Sequence, residues 1–160
     1  MAEIAQVQLR KFTDAIWNDD IVPALVEYIR IPNKSPAFEP NWEKLGHMEA
    51  ALQLLVGWAE EKIKALSGAT LTVERLPGRT PLIFIDVPGA KNDDTVLLYG
   101  HLDKQPEMTG WAEGKCPWIP VLEGDKLYGR GGADDGYAVF GALAALLAST
   151  DQGAPHAPAA

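Results

Sequence analysis

The stretch Thr-Val-Leu-Leu-Tyr-Gly-His-Leu-Asp, residues 95–103, decides the fold prediction and contains the first chemically suggestive pair of side chains. Its early part is a short apolar run closed by Gly100, which indicates a buried strand rather than a helix. His101 and Asp103 follow at the end of this run. Because they are two residues apart, their side chains point to the same side of an extended backbone. The pair is either a hydrogen-bonded surface pair or part of a metal site, in which the carboxylate orients a metal-binding imidazole.

The sequence around this stretch predicts an α/β domain, with N-terminal helices packed on a mixed sheet. Apolar residues at steps of three and four predict helices, and alternating or short apolar runs predict strands. The predicted helices cover residues 2–17, 21–30, 41–67 and 137–149, the predicted strands cover residues 70–74, 81–87 and 96–99, and a hairpin is predicted over residues 121–128. Residues 1–150 are expected to form one domain. Residues 151–160 are rich in Ala and Pro, which predicts a disordered tail.

Composition excludes several classes of function. The net charge of −8 argues against partners such as nucleic acid or an anionic membrane, which require clustered Lys and Arg. The longest apolar run, residues 138–148, is too short to span a bilayer, and the first residues do not have the pattern of a secretory signal. The single cysteine, Cys116, excludes an intrachain disulfide and suits a reducing compartment. A cytoplasmic protein is therefore expected.

A glycine-rich stretch, Gly-Arg-Gly-Gly-Ala-Asp-Asp-Gly at residues 129–136, is the second chemically suggestive feature. It does not fit a dinucleotide-binding loop, because Asp134 stands where the third glycine is needed. Two carboxylates would repel a phosphate and instead suit a cation. Asp134 and Asp135 precede a predicted helix, so either could cap that helix or turn towards a metal ion. For Asp135, both interpretations stay open.

Together, these motifs resemble a known family. Gly-His-Leu-Asp at residues 100–103, Gly-Trp at 110–111, Lys-Leu-Tyr-Gly-Arg-Gly at 126–131 and Ala-Asp-Asp-Gly at 133–136 occur in one order along the chain. The combination is similar to the zinc metallopeptidase family of aminoacylases, carboxypeptidase G, succinyl-diaminopimelate desuccinylases and carnosinase-type dipeptidases. The loop after residue 103 looks most like the dipeptidase branch.

The resemblance implies a role for each site residue. His101 would bind one zinc ion, Asp134 would bridge two zinc ions, and Asp103 would act at the catalytic centre by orienting His101. Asp135 would support the site, and the Asp134–Asp135 peptide would be cis. The implied reaction is hydrolysis of an amide bond next to a free carboxylate, in a small peptide or an N-acyl amino acid. In such a reaction the zinc pair polarises the carbonyl and activates a water, with a glutamate as general base.

The family's general-base glutamate and its remaining metal ligands lie downstream of Asp134, as does its second domain. After residue 135 the chain has one acidic residue, Asp151, and no glutamate. The chain is therefore expected to be an incomplete catalytic domain, an N-terminal fragment from truncation or frameshift that is inactive alone. The alternative is a non-catalytic interaction module or a complementing half of a split hydrolase, because an incomplete sheet tends to associate through its edge. A homo-oligomer or a downstream half would then be the partner.

Overall fold

The computed structural model describes residues 5–90 and 94–160. Residues 2–4 of the first predicted helix lie outside these ranges. In chain order, the helices and strands are α1 (Gln6–Ile16), α2 (Val22–Arg30), α3 (Trp42–Leu45), α4 (His47–Ile63), β1 (Thr70–Glu74), β2 (Leu82–Asp86), β3 (Val121–Glu123), β4 (Lys126–Tyr128) and α5 (Ala138–Asp151). A π-helical turn over Trp17–Ile21 joins α1 to α2. None of the helices in these ranges is long and apolar enough to cross a membrane.

The strands form two small antiparallel sheets beside the helices. β1 pairs with β2, with Thr70 opposite Asp86 and Glu74 opposite Leu82, and β3 pairs with β4 as a hairpin. Burial alternates along β1 and β2, as expected when one face of a sheet packs on a core. The predicted combination of helices and sheet is confirmed, and so is the hairpin at residues 121–128.

Two apolar clusters form the core. The first joins α2, α4 and α5 through residues such as Leu25, Leu55 and Phe140, all at least 96% removed from solvent. The second lies under β1 and β2 and includes Val87 and Leu143. The helices before the strands thus pack together with the last helix, and α4 and α5 together cover the inner face of the β1–β2 sheet.

The helix predicted over residues 41–67 is interrupted, and this prediction was wrong in its continuity. Gly46 has φ of +71°, which separates α3 from α4. Glycine adopts this left-handed conformation at little cost because it has no Cβ. The apolar spacing continues across the break, so the periodicity alone could not locate it.

The buried strand predicted at residues 96–99 was also wrong. Leu97 is 76% exposed and Tyr99 83% exposed. The segment forms an isolated bridge between Val96 and Ala159, and the Leu98 N–H donates to the Ala160 oxygen at 2.7 Å, but it is not part of either sheet. The apolar composition of this run implied a covering layer on each face. No described part of the chain supplies that layer for these side chains.

Residues 158–160 lie extended between the end of β2 and residues 96–98. Ala159 exchanges two backbone hydrogen bonds with Val87, of 2.8 and 2.9 Å, and Val96 N–H donates to Pro158 at 2.9 Å. A Cβ at Gly89 would lie 2.2 Å from the Pro158 nitrogen, so this close passage requires glycine. The segment whose composition predicts disorder thus supplies the backbone hydrogen bonds that link β2 to residues 96–98.

The glycine-rich segment, residues 129–136, packs directly on the C-terminal end of α2. A Cβ at Gly129 would lie 2.3 Å from Ile29 Cγ2, and one at Gly136 would lie 2.2 Å from Tyr28 Cε1. Gly131 has φ of +84°, and its Cβ would lie 2.5 Å from Cε of Lys104. Contacts this short exclude any side chain, so the glycines are explained by close packing rather than by phosphate binding.

We expect Gly136→Ala to destabilise the chain by about 1–3 kcal/mol, the usual cost of adding a methyl group to a packed interior. The added Cβ collides with the Tyr28 ring and with the Gly131 carbonyl oxygen. The measurement is the free energy of unfolding by urea titration.

The matched control is Gly57→Ala in α4, where a Cβ would meet nothing within 4 Å. Because alanine is the better helix former, this variant should gain about 0.5–1 kcal/mol. Equal stability of Gly136→Ala and the wild type would show that α2 and the glycine-rich segment are not held at the observed distance.

Candidate metal centre

The imidazole of His101 is oriented by Asp103. Its Nδ1 lies 3.0 Å from the Asp103 backbone oxygen and 3.0 Å from the Asp103 Oδ1. Since a carbonyl oxygen only accepts, Nδ1 carries the proton and donates it to this residue. In the neutral imidazole, Nε2 then presents a lone pair on the opposite side of the ring.

Asp134 faces that lone pair. Its Oδ1 lies 3.2 Å from His101 Nε2, and the Asp134 side chain is 60% exposed while that of His101 is 36% exposed. The Asp134–Asp135 peptide is cis, as the family resemblance implies. Two acceptor atoms facing each other in this way need a proton or a metal ion between them.

The pair fits zinc in the kind of ligand and in spacing. Zinc takes histidine nitrogen and carboxylate oxygen at about 2.0–2.2 Å, so two such ligands of a tetrahedral ion lie about 3.3 Å apart. The fit is incomplete in number. Within residues 5–90 and 94–160, no group of three or more His, Cys, Asp or Glu side chains is arranged to hold a metal ion.

The Asp135 side chain points back towards the segment that contains Gly100 and His101. Its Oδ2 accepts a hydrogen bond of 3.3 Å from the His101 backbone N–H. A Cβ at Gly100 would lie 3.2 Å from the same oxygen and 2.4 Å from Ala138 Cβ, so glycine at this position permits the approach. The helix-capping alternative has no hydrogen bond to support it, since no side chain caps the start of α5.

The charge of the site shifts the pKa of His101 upwards. Burial acts to lower this pKa, but the hydrogen bonds from Nδ1 to Asp103 and the charges of Asp103 and Asp135 outweigh it. Among the three site carboxylates, Asp103, Asp134 and Asp135, the charges of Asp103 and Asp135 thus create a local field that favours a cation at His101.

Two buried polar residues that sequence reasoning missed hold the segment between His101 and Asp103. Tyr28 donates from its hydroxyl to the Leu102 carbonyl at 2.6 Å, and the Asn33 amide donates to the same oxygen. Burial raises the pKa of Tyr28 far above its ordinary value, and the charges of the three site carboxylates raise it further. The phenol therefore stays neutral and available as a donor.

Lys104 is a third residue that the sequence analysis did not identify. It is 1% exposed, and its Nζ lies 2.6 Å from both the Tyr28 and Ile31 carbonyl oxygens. Burial lowers the pKa of Lys104 to about 7. Even a neutral amine has two N–H groups, which suffice for these two hydrogen bonds. Lysines usually lie on the surface, and nothing in the sequence around Asp103 indicates that the following lysine is buried.

The remaining histidines and the cysteine lie elsewhere. His47 is the first residue of α4, and His156 is in the segment after α5, where its Nδ1 lies 2.8 Å from the Ala157 carbonyl oxygen. Cys116 is exposed in the long loop. The structure therefore brings together His101, Asp103 and the two aspartates of the glycine-rich segment, and leaves these other side chains out.

Comparison with known proteins supports the resemblance. A family model described as peptidase family M20/M25/M40 matches residues 97–158, the part of the chain that contains every site residue. Succinyl-diaminopimelate desuccinylase of Gluconobacter oxydans (strain 621H) is 42% identical over 65 residues, which are 39% of this chain and 16% of that enzyme. The predicted resemblance to this metallopeptidase family is confirmed.

Solved structures show the same fold over nearly the whole chain. The dipeptidase Dug1p from Saccharomyces cerevisiae aligns with a TM-score of 0.66 at 20% identity, covering 97% of this chain and 33% of that one. Human carnosine dipeptidase 1 gives 0.61 at 24%, covering 94% and 33%, and the M20 family metallo-carboxypeptidase Sso-CP2 from Sulfolobus solfataricus gives 0.64 at 20%, covering 88% and 29%. The chain spans about a third of the length of these proteins.

We expect Asp103→Asn to lower the pKa of His101 in the metal-free chain, because it removes the Asp103 charge that raises this pKa, while the hydrogen bond to the backbone oxygen of residue 103 remains. Folding raises this pKa above its ordinary value of 6.5, so the imidazolium contributes stability at lower pH and this contribution is lost as the pH rises through the folded value. Asp103→Asn should therefore lose stability on the acid side. Titration of the His101 ring by NMR measures the shift.

The control is Asp125→Asn, which removes one carboxylate from the exposed turn between β3 and β4. It should leave the pKa of His101 unchanged. An unchanged value in Asp103→Asn as well would show that the charge of Asp103 does not act on the His101 ring in solution.

Proposed function

We propose that this chain is the N-terminal portion of the catalytic domain of a zinc-dependent hydrolase of the dipeptidase or aminoacylase type. Such an enzyme cleaves an amide bond next to a free carboxylate, in a small peptide or an N-acyl amino acid. The observation that carries the proposal is the 3.2 Å approach of His101 Nε2 to Asp134 Oδ1, with Nδ1 held by Asp103. The family match over residues 97–158 supports the same reaction class.

Each site residue has a distinct task in this proposal. His101 and Asp134 hold zinc, Asp103 keeps the His101 lone pair directed at the ion, and Asp135 ties the glycine-rich segment to the His101 backbone. When bound, zinc polarises the substrate carbonyl and lowers the pKa of a water. The negative field of the site carboxylates favours the metal and keeps the imidazole aligned while the ion is absent.

The isolated chain supplies only part of this centre. A catalytic zinc ion generally has three protein ligands and an open position. Two ligands come from the described residues, so the remaining ligands and the general base must come from polypeptide outside these ranges or from another chain. We therefore propose that the isolated chain binds zinc weakly and does not turn over substrate. A cytoplasmic location suits its single cysteine.

We expect the isolated chain to bind zinc with a saturable, single-site signal, and both His101→Ala and Asp134→Asn to weaken binding by more than about 100-fold. Removing a residue that only hydrogen-bonds to a metal ligand typically weakens metal affinity about 10–100-fold. We expect a larger loss here, because each variant removes one of the two ligands themselves. Titration against a chromophoric chelator gives the affinity, and calorimetric titration of the chain with zinc gives the stoichiometry.

His47→Ala serves as the control, because it removes an imidazole at the start of α4 and should leave zinc binding unchanged. Wild-type affinity in His101→Ala would refute the assigned ligands. Hydrolysis of a dipeptide by the isolated chain, lost in His101→Ala, would instead refute the proposed inactivity.

A second candidate function is an interaction module, or one half of a split hydrolase that a second polypeptide completes. A specific observation favours it, namely an exposed apolar patch made of Leu82, Phe84 and residues 96–99. Its members are between 43% and 83% exposed, on a sheet face and on an incompletely paired segment. Surfaces of this kind tend to bind other polypeptide surfaces.

If this patch drives association, the wild type should show a concentration-dependent mass, and the double variant Leu97→Glu/Tyr99→Glu should remain monomeric. Light scattering coupled to size-exclusion chromatography measures both. Leu122→Glu is the control, because Leu122 is 56% exposed on β3 and outside the patch. A monodisperse wild-type monomer at every concentration would exclude self-association through this surface.

A further inference from the structure

Lys104 is buried without a carboxylate partner. Its Nζ donates to the Tyr28 and Ile31 carbonyl oxygens at 2.6 Å and lies 3.4 Å from the Ile29 oxygen. It forms no ion pair with any residue in the described parts of the chain. A buried lysine bonded only to backbone oxygens is uncommon, because lysines are almost never fully buried unless paired.

The oxygens it contacts belong to the C-terminal end of α2. The last carbonyls of a helix carry a partial negative charge, which favours an amine at this position. The Tyr28 oxygen also accepts from the Ile31 N–H at 3.1 Å, so the amine adds a second hydrogen bond there. The Lys104 Nζ also lies 3.9 Å from the centre of the Tyr28 ring and 5.6 Å from that of Trp118. Both aromatic faces are favourable neighbours for a lysine amine.

The same residue links the two segments that carry the proposed ligands. Its backbone N–H donates to Asn33 at 3.0 Å and its carbonyl accepts from Ser35 at 2.9 Å, which fixes the residue directly after Asp103. Its side-chain carbons fill the space beside Gly131, where a Cβ would come within 2.5 to 2.6 Å of three of them. Lys104 thus contacts the end of α2 and the start of the turn to Asp134, and its backbone continues directly from residues 101–103, the His101 segment.

We propose that Lys104 is a positioning residue that holds the His101 segment and the glycine-rich segment at the separation that a metal ion requires. This inference rests on the proposed function in the part that concerns the metal. Without the amine, the Ile31 carbonyl oxygen would lose its hydrogen bond, and the Tyr28 carbonyl oxygen would keep only the one from the Ile31 N–H at 3.1 Å. A chain relieves lost hydrogen bonds of this kind by local opening. Opening at this point frees residue 131 from residue 104 and separates Asp134 from His101.

The first test uses the metal-free chain and Lys104→Met, which retains an unbranched apolar stem and removes the amine. Amide hydrogen exchange by NMR should be at least about tenfold faster at two positions, His101, whose N–H donates to Asp135, and Gly136, whose N–H donates to the Gly131 oxygen at 2.9 Å. The amides within the β1–β2 ladder should exchange as in the wild type.

The second test measures Co²⁺ affinity by its visible absorption. Lys104→Met should bind about 10–100-fold more weakly, as when a partner behind a ligand is lost. Lys104→Cys in a Cys116→Ser background, alkylated with 2-bromoethylamine while unfolded and then refolded, restores an amine at this position and should restore the wild-type affinity.

Lys115→Met is the matched control, because Lys115 has a largely buried side chain over the Tyr128 ring at 4.6 Å but contacts Glu123 on the β3–β4 hairpin. It should change neither measurement. Unchanged exchange at His101 and Gly136 in Lys104→Met would overturn the proposal, and so would a uniform rise that includes β1 and β2. If local exchange rises as expected but the wild type binds no Co²⁺, the positioning role holds and the proposed function fails.

Discussion

The close packing of the C-terminal end of α2 against residues 129–136 is the constraint on which the rest of the structure depends. Tyr28 and Ile29 occupy the space that side chains at positions 129 and 136 would need. This contact brings a turn from late in the chain onto a helix from its beginning. Because His101 is held from the same helix, through Tyr28 and the Leu102 carbonyl, the two ligand-bearing segments meet at a defined distance.

The site combines an unfavourable charge distribution with favourable hydrogen bonding. Three carboxylates surround one imidazole, and their mutual repulsion opposes folding in the absence of a cation. The Leu102 carbonyl between His101 and Asp103 is nevertheless held by the Tyr28 hydroxyl and the Asn33 amide, which carry no charge. The hydrogen bonds that fix this carbonyl therefore do not depend on the ionisation of the carboxylates.

Much of the fold and of the site follows from local patterns in the sequence. Alternation located β1, and the family resemblance carried by the motifs at residues 100–103 and 133–136 implied the pair, His101 and Asp134, that the structure brings within 3.2 Å. The failures have a common cause, which is dependence on distant contacts. The exposure of residues 96–99 depends on what covers them, and the burial of Lys104 depends on α2, which is more than seventy residues earlier in the chain. Neither the exposure of residues 96–99 nor the burial of Lys104 can be predicted from the residues next to them in the sequence.

The extended segment at residues 158–160 has a consequence for the order in which the molecule assembles. During synthesis from the N-terminus, the gap between β2 and residues 96–98 cannot close until this segment has left the ribosome, because its backbone supplies the bonds on both sides. Until then residues 96–98 lack the backbone hydrogen bonds that residues 158–160 provide in the folded chain. A nascent chain of this protein therefore presents an open β edge to the cell for the time needed to make the following sixty residues, the kind of exposure that recruits chaperones.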